Sequence, residues 1–372
     1  MQGPDVAETL IFPPQAPPGA LREVTFADPH LLVRGARVEP ERRGHLLVFP
    51  LQFPCGDIRL VSRNAAPEAL GINRDMRQLG LRVRELRLVR GAEVVDVPLD
   101  HPDLQEGFHR LEDGVARWTT GDALVPSHLL GDGAGPAELH LAMWSLPRYL
   151  ARETGDAALF ARFTALGDDC ELGLVQREFG AEPMDLLRWV GTDIARLMLG
   201  LCRRFDGLGN PERTQLYFRE DENEYRLRDP LYFSMHTWTF GRLADLAEEE
   251  AMRLACAARL RLMRRKLLAD IEGGKRILVF ASTKHALQRE AFVALHAAVR
   301  GIGPAPLLCV VLAPAPGMAG QVERLSDGLY LGYMDQFKSV QTGFSYGTWR
   351  RMCRAAAALV DADISAQPKA DA

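Results

Sequence analysis

Phe163-Thr164-Ala165-Leu166-Gly167-Asp168-Asp169-Cys170-Glu171-Leu172-Gly173-Leu174-Val175-Gln176-Arg177-Glu178-Phe179-Gly180 reads as a short strand, a tight turn and an amphipathic helix. Leu172, Val175 and Phe179 fall on one helical face, and Gly180 is a helix stop signal. Cys170 then stands at or just before the first helical turn, where unpaired backbone N–H groups and the helix dipole favour a thiolate. A cysteine there is suited to nucleophilic attack. It is also an ordinary packing residue for the start of a helix, so two readings compete.

Outward from this stretch the pattern is α/β. A helix is expected over 192–205, a hairpin over 214–227 around Glu220-Asp221-Glu222-Asn223, and a strand over 231–238. Residues 243–271 read as one long helix, acidic early at Glu248–Glu250 and basic late at Arg264, Arg265 and Lys266, with Gly273-Gly274 closing it. Strand 276–280, helix 286–299, strands 307–313 and 328–333, and helix 346–359 follow. This alternation predicts a mostly parallel sheet flanked by helices over 155–360, with a polar, frayed tail over 361–372.

Residues 22–150 follow a different pattern. Short strands are expected over 45–49, 57–62, 79–89, 93–98 and 138–144, with little helix signal. Alternation is clearest in Leu81-Arg82-Val83-Arg84-Glu85-Leu86-Arg87-Leu88-Val89. These features predict an antiparallel β-sandwich. The fold expected is therefore two-domain, with a boundary near 147–156, few buried contacts across it, and a flexible proline-rich lead-in over 1–21.

The 372 residues suffice for two cores, and 47% apolar with 25% charged residues is ordinary globular composition. A net charge of −4 gives no bulk attraction to nucleic acid or to an anionic membrane. No stretch approaches the ~18 uninterrupted apolar residues of a membrane span. The opening Met-Gln-Gly-Pro-Asp lacks a basic segment followed by an apolar run, so a cytoplasmic protein is expected. Six cysteines without Cys-x-x-Cys spacing read as reduced thiols.

The run from Ala165 to Gly180 resembles the opening motif of an uncharacterised bacterial family labelled papain-like cysteine peptidases, and Pro183-Met184-Asp185-Leu186-Leu187-Arg188-Trp189 stands where that family often has a Pro-Phe-Asp-Trp-like element. The resemblance spans roughly residues 160–350. It implies Cys170 as nucleophile and, because a histidine follows at such a position in the family, His236 as its base. A thiol–imidazole pair can hold the thiol proton near neutral pH. The plain alternative for His236 is a core histidine among Phe233, Met235 and Trp238. Asp335, after strand 328–333, is the candidate orienting acid because α/β sites form at strand ends; its plain alternative is a cap or turn. Asp168 and Asp169 oppose thiolate formation at Cys170, and Asp169 fits a helix N-cap.

In the first half, Asn73-Arg74-Asp75-Met76-Arg77-Gln78-Leu79-Gly80-Leu81, Gly107–Glu112 and Arg117-Trp118-Thr119-Thr120-Gly121-Asp122-Ala123 resemble a β-sandwich module found beside bacterial glycosyltransferases and surface-polysaccharide proteins. That implies a glycan-related partner. Trp118 reads first as a core aromatic and second as a sugar platform.

No phosphate loop, Rossmann glycine pattern or zinc spacing is present in the sequence, so no cofactor and no metal are expected. The function expected is a cysteine-dependent hydrolase or acyl transferase using Cys170, His236 and Asp335. The alternatives are a non-catalytic glycan-binding or scaffold protein of polysaccharide assembly, and a glycosyltransferase-like enzyme. Substrate and oligomeric state stay open.

Overall fold

Leu81–Arg90 lies inside a seven-stranded antiparallel sheet, between Gly135–Ser145 and Ala116–Thr119. The computed structural model describes residues 21–151, 155–282, 289–338 and 343–366. Leu81 and Val83 point inward, and so do Leu86 and Leu88, so the alternation slips by one residue between the two pairs. The register with Gly135–Ser145 shifts there, between Ala142 and Met143, as a β-bulge requires. A four-stranded antiparallel sheet, ordered Asp122–Val125, Ile58–Val61, His30–Val33 and Ala36–Val38, shares one buried cluster with the larger sheet through Leu31, Phe49, Leu60, Leu81 and Leu139.

In the second half, Phe163–Ala165, Ile277–Ala281, Leu307–Leu312 and Leu329–Met334 lie side by side and parallel; Val322–Ser326 closes one edge antiparallel. Their side chains alternate between two cores. Ile277, Val279, Leu308 and Val310 pack with the helices Glu171–Glu178 and Tyr346–Ala366. Leu278, Phe280, Leu307 and Cys309 pack with Leu246–Gly273, Arg289–Arg300 and a second antiparallel sheet. That sheet runs Val190–Gly191, Phe233–Phe240, Glu224–Asp229, Gln215–Arg219, and contains the expected hairpin. The expected mostly parallel sheet with flanking helices is therefore present, among several antiparallel sheets and, in the described residues, six α-helices.

The long helix is capped by Asp245, whose carboxylate accepts the Ala247 and Glu248 N–H groups, and it ends at Gly274 in the left-handed region. The last helix runs to Ala366 rather than fraying after 360. Asp361 there pairs with Arg162, and Asp363 accepts the Tyr330 hydroxyl. Residues 367–372 and 1–20 lie outside the described residues.

The seam between the two halves is not the sparse boundary expected. Buried Arg350 reaches back to Asp28 at 2.7 Å and Glu39 at 2.8 Å. The buried Glu178 carboxylate accepts the Thr25 and Phe26 N–H groups, each at 2.9 Å. The Phe26 ring packs edge to face with Phe179 and tilted against Tyr346. On the second-half side these groups belong to the helices Glu171–Glu178 and Tyr346–Ala366, so the seam ties the first half directly to the helix that follows Cys170. Among the described residues no helix is long and apolar enough to cross a membrane.

Candidate functional site

The turn after Phe163–Ala165 is tight and strained. Gly167 has φ +95°, and a Cβ there would come within 2.9 Å of Thr192 Cγ2, so glycine is required. Asp168 follows with φ +73° and is buried, a conformation costing a non-glycine residue about 1–3 kcal/mol. Cys170, not Asp169, occupies the N-cap position of Glu171–Glu178; the Asp169 carboxylate instead accepts the Glu171 N–H at 2.8 Å. The expected helical face holds, with Leu172, Val175 and Phe179 buried against Phe160 and Phe163.

Glu171 fixes the start of this helix to the far end of the sheet. Its buried carboxylate accepts the Trp349 indole N–H at 2.8 Å and the Lys338 backbone N–H at 2.9 Å. Burial pushes its pKa up, against those two hydrogen bonds. Cys170 beside it is partly buried. Burial raises the thiol pKa, and the Asp169 carboxylate raises it further, while the Lys338 ammonium pulls the other way without prevailing. The thiol is therefore held protonated at neutral pH, and any nucleophilic role requires a base.

His236 lies on Phe233–Phe240, where its backbone N–H donates to Trp189 O at 3.2 Å. Its Nδ1 is 2.9 Å from Oε2 of Glu224, a carboxylate only 3% exposed. A carboxylate oxygen accepts, so Nδ1 is the donor of this bond, and in the neutral imidazole Nε2 is then the nitrogen left to take a proton. The other Glu224 oxygen accepts the Trp238 N–H at 2.8 Å. Trp238 has φ +58°, an outlier for a bulky residue, and its ring stacks on the imidazole at 5.2 Å and 22°. Glu224 thus fixes both the imidazole and the strained residue beside it.

Among the described residues Asp335 makes no hydrogen bond to His236. Its carboxylate accepts the Arg42 N–H at 2.7 Å and the Thr348 hydroxyl at 3.0 Å, which places it in the seam between the halves. Glu224, not singled out in the sequence, is the carboxylate that meets the imidazole. No local signal marks it: the turn at Glu220–Asn223 sets Glu224 opposite Arg219, and Glu224 comes to His236 only through the pairing of Glu224–Asp229 with Phe233–Phe240.

The Cys170 helix and the His236 strand meet through one shared segment. A Cβ on Gly173 would lie 3.0 Å from the Trp189 ring, and Val190 pairs with Met235. Arg177 stacks over Trp189 at 4.6 Å and Trp238 at 5.4 Å, bridging helix and sheet. Cys170 and His236 are thus on adjoining elements, but no hydrogen bond joins them among the described residues.

Glu222, Glu224 and His236 present ligand atoms within 4.8 Å of one another, a grouping able to hold a metal ion. The Arg226 guanidinium donates to Glu222 at 2.5 Å and lies 3.6 Å from Glu224. The Arg226 guanidinium thus competes with any bound cation for the Glu222 carboxylate.

No family model, curated protein or solved structure matches this chain. Of the remaining cysteines, Cys55, Cys256, Cys309 and Cys353 are buried, and burial pushes all four thiols up. Cys202 is exposed on the helix Ile194–Cys202.

Proposed function

We propose that the chain is a cysteine-dependent acyl hydrolase or acyl transferase, with Cys170 as nucleophile, His236 as base and Glu224 as the acid that orients His236. The observation that carries this reading is the hydrogen bond between buried Glu224 and half-buried His236, on the sheet adjoining the Cys170 helix. His236 Nε2 takes the thiol proton as the sulfur attacks an acyl carbonyl carbon. The bond to the leaving group breaks, and the imidazolium returns the proton to that group. Water hydrolyses the resulting thioester, or an acceptor takes the acyl group. Because the resting thiol is protonated, the base acts during attack, as it does for a serine nucleophile.

The resemblance to the papain-like label supports the same assignment, and the β-sandwich resemblance supports a glycan-bearing substrate or setting. We also infer that residues 22–150 and 155–360 are two modules, since each half has its own buried clusters. A second reading, a non-catalytic partner in polysaccharide assembly, is favoured by one observation: the Cys170 thiol is raised rather than lowered.

p-Nitrophenyl acetate discriminates the two. With Cys202→Ser as background to remove the exposed thiol, the protein should show a burst of nitrophenolate that Cys170→Ala abolishes. Glu224→Gln should slow the burst roughly 10²-fold. Nitrophenolate release unchanged in Cys170→Ala would overturn the catalytic reading.

A further inference from the structure

His30 opens the strand His30–Val33 and is buried in the seam between the halves. Both of its ring nitrogens are engaged. Nδ1 lies 2.9 Å from the Asp28 carbonyl oxygen, which only accepts, so Nδ1 donates. Nε2 lies 3.0 Å from Nη1 of Arg37, which only donates, so Nε2 accepts. One protonation state satisfies both bonds, the neutral imidazole with its proton on Nδ1. A second proton, on Nε2, would set N–H against N–H.

Arg37 is the group on which that proton would act. Its guanidinium holds Asp28 at 2.6 Å and Glu39 at 2.7 Å. The same two carboxylates hold Arg350 of the last helix. Around this cluster Arg63 acts on Asp28, and Asp156 lies 3.5 Å from Arg350. Glu39 and Arg350 are fixed by burial, whereas the Arg37 side chain is 31% exposed and has a way out to solvent. The Nδ1 bond and the Asp28 and Glu39 charges favour an imidazolium. Burial, the largest cause, together with the Arg37 charge outweighs them and holds the His30 pKa below its ordinary value.

We propose that His30 makes the seam between the halves acid-sensitive. A proton taken from solvent onto Nε2 breaks the bond from Arg37 and drives that guanidinium outward, removing from Asp28 and Glu39 the cation that shares them with Arg350. The adjoining Thr25 and Phe26 anchor Glu178, the last residue of the helix that follows Cys170, so loosening reaches that helix as well. The proposal rests on the seam alone and stands or falls independently of the acyl-transfer reading.

A histidine with a lowered folded pKa contributes stability that is fully present above the unfolded value of about 6.5 and is lost as pH falls below it. One such site can raise the opening equilibrium by at most about tenfold at a pH about one unit below that value. Amide hydrogen exchange of the whole chain, followed by mass spectrometry near pH 7.5 and near pH 5.5 and corrected for intrinsic rates, reads opening over residues 25–42 and 346–354. Opening there should rise by about three- to tenfold in acid. His30→Gln, which keeps an acceptor for Arg37 and does not titrate, should remove the rise. Slow exchange of the His30 Cε1 proton gives its titration in the unaltered protein without any variant, and the midpoint should lie below about 6.5. The proposal is overturned if opening of these segments is the same at both pH values, or if His30→Gln shows the same rise. A His30 midpoint at or above about 6.5 overturns it equally.

Discussion

Replacing Arg350 by methionine removes a guanidinium, 4% exposed, on which Asp28, Glu39 and Asp156 converge at 2.7, 2.8 and 3.5 Å. Removing one partner of a buried ion pair costs about 3–5 kcal/mol, because it strands the other charge. Here each carboxylate keeps a second cation: Arg37 for Asp28 and Glu39, Arg354 for Asp156. Methionine also retains part of the contact that Arg350 makes with the Phe26 and Phe179 rings at 5.8 and 5.6 Å. The loss at pH 7 should therefore fall at the lower end, about 3 kcal/mol. Burial alone would raise the Asp28 carboxyl pKa, but Arg350, then Arg37 and Arg63, outweigh it and hold it below the ordinary value. A depressed folded pKa contributes stability above the unfolded value of about 3.9, lost as pH falls through the folded one. The Arg350→Met penalty should therefore shrink at acid pH, once Asp28 is protonated. Urea unfolding at pH 7 and near pH 3, repeated in Asp28→Asn and the double variant, measures both the loss and the coupling. A loss under about 1 kcal/mol at pH 7, or an equal loss at both pH values, would refute the argument that this cluster is a coupled, buried ionic seam.

Cys170 should alkylate with iodoacetamide more slowly than exposed Cys202 at pH 7, and Asp169→Asn should speed it by removing a charge that raises the thiol pKa. Peptide mapping after timed labelling reads this, and a slower Cys170 in Asp169→Asn would contradict it. Trp118 packs against the first-half core but is only half-buried, opposite Arg82 across the strand pair. Its replacement by alanine should cost about 2 kcal/mol, below the ~3–5 typical of a fully buried aromatic. A thermal melt shows whether the loss is that size; an unchanged melting transition would return Trp118 to the role of a sugar platform.

Local periodicity was enough to read the long helix at Leu246–Gly273, the parallel strands and the face of Glu171–Glu178, because which residues share a face is set by the 3.6- and 2-residue repeats of the backbone itself. Strands of three or four residues, such as His30–Val33 and Ala36–Val38, carry too few repeats to stand out. The thiol chemistry was half legible. A cysteine at a helix start is a local fact, but its raised pKa follows from burial and from a balance with Lys338, which is 168 positions away in the chain. Asp335 and Glu224 show the same divide. Asp335 stands at a strand end, as expected of a site acid, yet the first half arrives to claim its carboxylate through Arg42. Glu224 sits in a hairpin with no motif around it, and only the register of that hairpin against Phe233–Phe240 brings it to His236. The sequence by itself determined the longer elements, their faces and the candidate nucleophile. The tertiary structure alone decided which acid meets the imidazole, how tightly the halves are joined and what state the thiol rests in, because hydrogen bonds and charge interactions depend on distance in space, which no local repeat encodes.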